Sequence, residues 1–353
     1  MKIRVATAND ESMWDDFVQK HPQATPYHRF AWKKSVENAY RHKSCYLIAE
    51  NESQHIVGVL PAIAMQPVFF SGKLSSLPFC DLAGALAVDE TIQSALITAA
   101  QNMAAETGLK YFEYRTSSLA DESADMNNRT LPADQKVRMI LDLPECSETL
   151  LSGFKSKLRS QIKKAEKNGL TVEIGQTDQL IDDFYDVFSC NMRDLGSPTH
   201  SKQWFHEIKR HYKQNMIISI IKGEGEAIGA GIVLFNGVNA SIPWASTKRN
   251  FNHLSPNMLL YWSLLQYTTD NGYKAFDFGR STPGEGTFKF KQQWGAKPVP
   301  LLWENKVIGS NKQEENFSHS QGRLREIIES VWRLLPLAMT IYIGPKVRKY
   351  ISL

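Results

Sequence analysis

"NGYKAFDFGRS" (residues 271–281) has a counterpart earlier in the chain, "TGLKYFEYRTS" (107–117). At a constant offset Gly108 matches Gly272, Lys110 matches Lys274, Phe112 matches Phe276 and Glu113 matches Asp277. Tyr114 likewise matches Phe278, and Ser117 matches Ser281. An amphipathic helical pattern precedes each, "TIQSALITAAQNMAAE" in the first case and "PNMLLYWSLLQYTTD" in the second. A helix, a glycine just past its end and an alternating β-rich run make one α/β unit. Two such units in register predict a duplicated domain. Chance similarity over ten residues is the competing account; the shared spacing of acid, aromatic and serine favours duplication.

Each repeat is flanked by further strand-like runs. In the first half "SCYLIAE" and "IVGVLPAIAM" read as paired strands joined by "NESQH". In the second, "MIISIIKGEGEAIGAGIVLFNGVNASIPWAS" reads as three strands with turns at "GEGE" and "NGVN". Each half is then helices, an antiparallel meander, a helix and a further strand. The expected fold class is α/β (α+β), two tandem domains with mixed, largely antiparallel sheets. That arrangement resembles the acyltransferase topology of the GCN5-related (GNAT) kind. The expected boundaries are 1–150 and 151–310 for the two domains, with 311–353 a linker and amphipathic helical tail. The polar run 118–135 reads as a surface loop.

Bulk properties agree and exclude much. With 353 residues, two cores are the default. A net charge of +4 is too slight to argue for nucleic acid by itself, and no DNA partner is expected. The four cysteines form no CxxC pair, so neither a disulfide framework nor a metal site is expected. The N-terminal residues lack an apolar core of signal-peptide length, and "VWRLLPLAMTIYIG" (331–344) is too short to span a bilayer. The expectation is a cytoplasmic protein. No GxSxG, HExxH or P-loop occurs, which disfavours a hydrolase, a zinc enzyme and a nucleoside triphosphatase.

The chemistry-bearing residues cluster in three places. "FDFGRSTPGEGTFKFKQQWGAKP" (276–298) crowds Asp277, Arg280 and three lysines around a Gly-rich turn. "FKFKQQW" is expected to be a strand with Lys289 and Lys291 on one face. Lysines there either guard a sheet edge or stabilise charge developing on a carbonyl oxygen. In "WASTKRNFNHLSPNMLL" (244–260), Ser255 is the expected N-cap and Pro256 the first helical residue. The helix N-terminus is a natural anion site, and Lys248 and Arg249 precede it. No GxG lies between Trp244 and Ser255, where acetyl-CoA-dependent enzymes of this topology wrap a pyrophosphate. Finally, "KSKLRSQIKKAEKNG" (155–169) puts Lys155, Arg159, Lys163 and Lys167 on one helical face, opposite Phe154, Leu158, Ile162 and Ala165. It is either a solvated amphipathic helix or a contact for a phosphate-rich partner.

Together "LRSQIKKAEKNGL", "NMRDLGSPTHSKQWF", "LSPNMLLYWSLL" and the 276–298 stretch resemble the FemAB-like family. "ATPYHRFAWKKSVENAY" and "SLPFCDLAG" extend the resemblance into the first half, so it covers nearly the whole chain. More narrowly the chain is similar to the FemAB-related proteins associated with PEP-CTERM/exosortase systems. The resemblance implies an N-acyltransferase or aminoacyltransferase acting on an amine of an exopolysaccharide or cell-envelope precursor. The acceptor would be a glycan or lipid-linked amine. Acyl-CoA or aminoacyl-tRNA would be the co-substrate, with no tightly bound cofactor and no metal.

Fem ligases carry an aromatic-x-Phe-Lys motif whose lysine is implicated in catalysis. Here it is Phe288-Lys289-Phe290-Lys291, so Lys291 inherits the role, with Phe288 in place of the usual Tyr. Asp277 is the candidate to orient the amine or accept its proton. Arg280, Lys248 and Arg249 are candidates for phosphates of donor or acceptor. Ser281, Lys289, Trp294, Asn257, Trp244 and, in the first half, Asp81 complete the candidate substrate-binding set. The long coiled-coil arm of many Fem ligases is absent, which counts against tRNA, while the missing Gly-rich loop counts against acetyl-CoA; both carriers stay open, with an acyl thioester favoured. The alternative class is a catalytically inactive GNAT-fold glycan-binding or scaffold protein of the same system. Within 323–353, apolar residues interleaved with Arg333 and followed by Lys346, Arg348 and Lys349 make the tail a candidate for peripheral contact at the inner membrane face.

Overall fold

The structure, a computed structural model, describes residues 1–67, 71–117, 134–309 and 321–352. The expected loop 118–135 lies almost wholly outside the described residues, as does most of the expected linker 311–322. Contacts group the chain into two compact units. The first comprises Met1–Leu119, Leu301–Gln321 and Lys349–Leu353; the second comprises Ala120–Pro300 and Gly322–Arg348.

The first unit runs β1 (Lys2–Val5), α1 (Glu11–Lys20), α2 (Phe30–Tyr40), β2 (Lys43–Ser44), β3 (Leu47–Glu50) and β4 (Ile56–Leu60). It continues with β5 (Ile63–Met65), β6 (Lys73–Ser75), β7 (Leu86–Ala87), α3 (Glu90–Glu106) and β8 (Tyr111–Ser117). One sheet has the order β1-β3-β4-β7; in the other, β2, β5, β6 and β8 follow one another, and Leu301–Val307 pairs with the far edge of β8. The paired strands expected around "NESQH" are β3 and β4. "IVGVLPAIAM" does not run as one strand, however. Pro61 has no N–H to give the ladder, and the chain passes to the second sheet, where Ile63–Met65 pairs with β6. Leu96, Ala100 and Ala104, four apart on α3, pack with Leu47, Leu60 and Phe112 into this unit's core.

The second unit holds β9 (Val137–Asp142), α4 (Ser147–Gly153), α5 (Ser156–Lys167), β10 (Thr171–Gly175), α6 (Asp178–Asp194) and α7 (Lys202–Tyr212). Next come β11 (Met216–Gly223), β12 (Glu226–Asn236), β13 (Asn239–Thr247), α8 (Pro256–Asp270) and β14 (Ala275–Ser281). Then follow α9 (Gly286–Gln293), β15 (Lys297–Val307), of which only Lys297–Pro300 belongs to this unit, α10 (Gln321–Leu334) and α11 (Leu337–Arg348). The strand order is β10-β11-β12-β13-β14-β9, with Lys297–Pro300 of β15 on the far side of β9. The meander β11–β12–β13 turns where expected, through Glu224 and Gly225 and through Gly237, all at positive φ. Leu158, Ile162 and Ala165 of α5 join α8 in this unit's core, which confirms the amphipathic reading of 155–169.

The duplication is visible in the ladders. β8 pairs in parallel with β6, setting Leu74 against Phe112 and Ser75 against Glu113. β14 pairs in parallel with β13, setting Ala240 against Phe276 and Ser241 against Asp277. Both units thus place a serine opposite the buried acid of the repeated segment, and in both an antiparallel strand flanks the other edge. Each repeat's helix ends at a glycine with φ near +70 to +80° (Gly108 at 69°, Gly272 at 81°), a conformation open to glycine without strain.

In the first unit that acid sits in a closed polar network. Glu113 accepts from Ser75 Oγ at 2.7 Å, Arg115 at 2.6 Å and Lys73 at 2.8 Å. Burial pushes its carboxyl up, but Arg115 and Lys73 outweigh this and bring the pKa down to about 2. Ser352 joins the same network: its hydroxyl lies between Lys73 and Glu113, and its carbonyl accepts from Phe79 N and Arg115.

Candidate active site

In the second unit the equivalent strands part company. The parallel ladder of β13 and β14 stops at Ser241 and Asp277, although both strands run on to Thr247 and Ser281. On the other edge of β14 the pairing with β9 is interrupted between Asp277 and Arg280. Gly279 lies in that gap at φ +74°. Asp277 ties the gap off: one carboxylate oxygen accepts from Gly279 N at 2.8 Å, and the other forms an ion pair with Arg138 at 2.9 Å. Arg138 was not found from sequence, because it stands 139 residues away and no local spacing links the two.

A parted strand leaves carbonyl groups to be satisfied. Lys291 does this here, its amine donating to Gly279 O at 3.1 Å and to Arg280 O at 2.7 Å. It does so from a helix: "FKFKQQW" forms α9 and not the expected strand. The Phe/Lys alternation mimics a period of two, but burial follows a helical period, with Lys291 and Trp294 buried and Phe290 packed on Trp294. Lys289 and Lys291 therefore do not share a face; Lys289 is exposed and Lys291 is only 8% exposed. Tyr261 of α8 holds the junction together, stacking on Phe278 and meeting Phe290 edge-on at 5.0 Å. Burial pushes its hydroxyl up to about 12. Ser281 Oγ and Trp294 Nε1 are buried without a hydrogen-bond partner among the described residues. Asp277, Arg280, Ser281, Lys291 and Trp294 are thus brought together on β14 and α9.

A second cluster lies at the start of α8. Ser255 does precede Pro256, but it adopts the left-handed conformation (φ +59°), and its side chain caps no amide. Residues Arg249–Leu254 form a short 3-10 turn ahead of it. A cavity of about 660 Å³ opens beside this turn, lined among others by Asp186, Cys190, Arg193, Lys248, Arg249 and Arg333. Lys248 is ion-paired with Asp186 at 2.8 Å and with Glu226 at 3.3 Å. Partial burial pulls its amine down, but the two carboxylates outweigh this and hold it above the ordinary lysine range. Arg249 is exposed and makes no ion pair among the described residues. Cys190 is no activated nucleophile, since burial and then Asp194 push its thiol up. Asp182, Asp186, Cys190 and Arg193 lie at helical spacing on α6, a stripe that sequence reading could have picked out.

The remaining candidates are placed separately. Trp244 is buried edge-on against Phe205 at 5.1 Å, and Asn257 is half-buried in the first turn of α8. Asp81, in the first unit, is half-buried and accepts from Trp303 Nε1 through its backbone oxygen. Among the described residues no group of three His, Cys, Asp or Glu could hold a metal ion, and no helix is long and apolar enough to cross a membrane.

Residues 152–292, all within the second unit, match the family model described as an acetyltransferase (GNAT) domain. The UDP-N-acetylmuramoylpentapeptide-lysine N(6)-alanyltransferase of Weissella viridescens is 20% identical over 281 residues, covering 75% of this chain and 82% of that protein. Among solved structures, FemX superposes with a TM-score of 0.68 at 14% identity, covering 93% of this chain and all of that one. A tandem GNAT protein from the clavulanic acid biosynthesis pathway gives 0.53 at 11% identity, covering 88% and 99%. The fold is that of two tandem GNAT-like domains, and the second carries the acetyltransferase-domain match. More narrowly, the chain is similar in sequence to that alanyltransferase and in fold to FemX.

Proposed function

We propose that the protein transfers an acyl or aminoacyl group from an activated ester to a primary amine of a cell-envelope precursor. Within that class, the reading is an amino sugar or lipid-linked glycan of exopolysaccharide assembly as acceptor. The alanyltransferase relative, named for a lysine N6 acceptor, supports the reaction type. The observation that carries the reading is Lys291, a buried lysine at the parted strand beside the Asp277–Arg138 pair.

In this reaction the acceptor nitrogen bonds to the donor carbonyl carbon, and the carbon–oxygen or carbon–sulfur bond to the carrier breaks. The amine proton ends on the departing carrier. Lys291 stabilises the oxyanion that forms between those events, a contribution typically worth ~3 kcal/mol. Both oxygens of Asp277 are engaged, so it acts as a positioning residue that holds Gly279 and Arg138. Arg280, Ser281 and Lys289 serve the transferred group and the acceptor, while Trp294, buried against Phe154 and Phe290, holds α9 in place. Lys248 and Arg249, at the cavity beside α8, serve the carrier and its phosphates.

The test supplies alanyl-tRNA and acetyl-CoA separately, each with a UDP-linked muramyl pentapeptide or a glucosamine-bearing acceptor, and reads the product by mass spectrometry. An amide product that Lys291→Ala lowers roughly 100-fold supports the reading. Absence of product from every pairing, with a folded protein, favours the scaffold alternative.

A further inference from the structure

The strongest unassigned surface lies on α10. Its residues Ile327, Ile328, Val331 and Leu334 are 61%, 55%, 54% and 84% exposed. Their spacing of one, three, four and seven residues puts them on one helical face. Among the described residues no other segment exposes four large apolar side chains within eight positions. A soluble monomer rarely leaves such a stripe uncovered. On α11, Tyr342 is 69% exposed, with the Lys346 ammonium 3.5 Å from its ring centroid. An aromatic ring carrying a cation over its face is a pairing that suits the boundary between hydrocarbon and water.

A second feature of the same unit matches it. At the N-cap of α5, Lys155, and along the helix, Lys157, Arg159, Lys163, Lys164 and Lys167 are all exposed, and none makes an ion pair among the described residues. Glu166 is the single acid on that helix. Elsewhere lysines and arginines are widely paired, as Lys248, Lys222 and Lys33 are. The apolar side of α5 is already buried, so this helix offers charge and no insertion.

The two features border one turn. Asn168, at the end of α5, donates to Leu254 O at one end of Arg249–Leu254. At the other end Arg249 shares the cavity with Arg333 and Leu337, at the junction of α10 and α11. The helix α10 is seated there by Arg333 on Leu195 O and by Gly196, which packs directly against Glu329.

We propose that the α10 stripe and the basic face of α5 form a docking surface for an anionic phospholipid bilayer, with the cavity at Arg249 and Arg333 opening at the bilayer surface. Apolar insertion by α10 and charge from α5 are two independent contributions, and reversible attachment needs both. The inference rests on the transferase reading only in its consequence: an acceptor carried by a lipid would be presented beside the cavity.

Flotation of the full-length protein with vesicles of phosphatidylcholine alone, or mixed with phosphatidylglycerol, tests it. The protein should float with the mixed vesicles and be released by raised salt. Val331→Ser/Leu334→Ser and Lys163→Glu/Lys167→Glu should each cut the bound fraction roughly tenfold, with circular dichroism unchanged. No flotation, or equal flotation on neutral vesicles, overturns the proposal. So does a dimer in light scattering that Val331→Ser/Leu334→Ser dissociates, which would place the stripe between two copies. Lost tRNA affinity in the charge variant, with vesicle binding intact, overturns the role of α5. Turnover on a water-soluble amine acceptor, measured in parallel, keeps the readings apart: its absence in the parent protein sinks the transferase, and its persistence in the α10 variant shows that docking and chemistry are separate.

Discussion

Lys291 Nζ lies 2.7 Å from the carbonyl oxygen of Arg280, so the lysine of the Phe-Lys-Phe-Lys motif is also the group that satisfies the parted strand. The two roles separate by experiment. Lys291→Ala should cost about 1–3 kcal/mol of stability by leaving buried carbonyls unmet, and turnover per folded molecule should fall roughly 100-fold. Urea unfolding gives the first quantity and single-turnover kinetics the second. Lost stability with unchanged turnover would leave Lys291 a purely structural residue.

Asp277→Asn should be more damaging to the fold. It removes the negative charge facing Arg138, which is itself largely buried, and such a loss costs roughly 3 kcal/mol. Adding Arg138→Met should restore part of that stability, since no cation then remains unpaired. If the double variant is as unstable as the sum of the two single ones, the pair is not coupled as the geometry states.

Glu113 predicts an acid limb in stability. Its folded pKa of about 2 lies below the ordinary carboxylate value of 4.5. A depressed carboxylate stabilises the fold fully above pH 4.5 and loses that contribution as pH falls towards 2. The contribution is on the order of 3 kcal/mol. Glu113→Gln should lower stability at neutral pH and flatten the dependence between pH 5 and about 2, measured by urea midpoints across that range. An unchanged slope in the variant would show that another group governs it.

Gly196→Ala should unseat α10. Gly196 has φ +75°, and an added Cβ would stand 2.7 Å from the backbone oxygen of Glu329. Strain at the left-handed position alone costs about 1–2 kcal/mol. Limited proteolysis should then cut within α10 much faster than in the parent; an unaltered digestion pattern would mean the helix is held by other contacts.

Much of the fold was legible because the repeat is carried by residues with fixed conformational duties. Gly108 and Gly272 end helices, and Glu113 and Asp277 fall at the same ladder position opposite serines. The site was less legible, for physical reasons. Lys291 belongs to a helix whose Phe/Lys alternation imitates a strand, and its carbonyl partners are set by a break in pairing that no local pattern announces. Arg138 reaches Asp277 only through tertiary pairing of β9 with β14. Lys248 was singled out for its charge, yet its partners Asp186 and Glu226 come from two other elements and change what it can bind.

The network around Ser352 bears on how the protein is made. Residues 1–119 leave the ribosome about 180 residues before Leu301–Val307, the strand that pairs with β8, and Ser352 follows later still. At translation speeds of roughly 5–20 residues per second, β8 waits for about 10–40 seconds with one edge unpaired and Glu113 and Arg115 lacking their last partner. The second unit can assemble most of its sheet during that interval. In the nascent chain, the unit begun first is completed last.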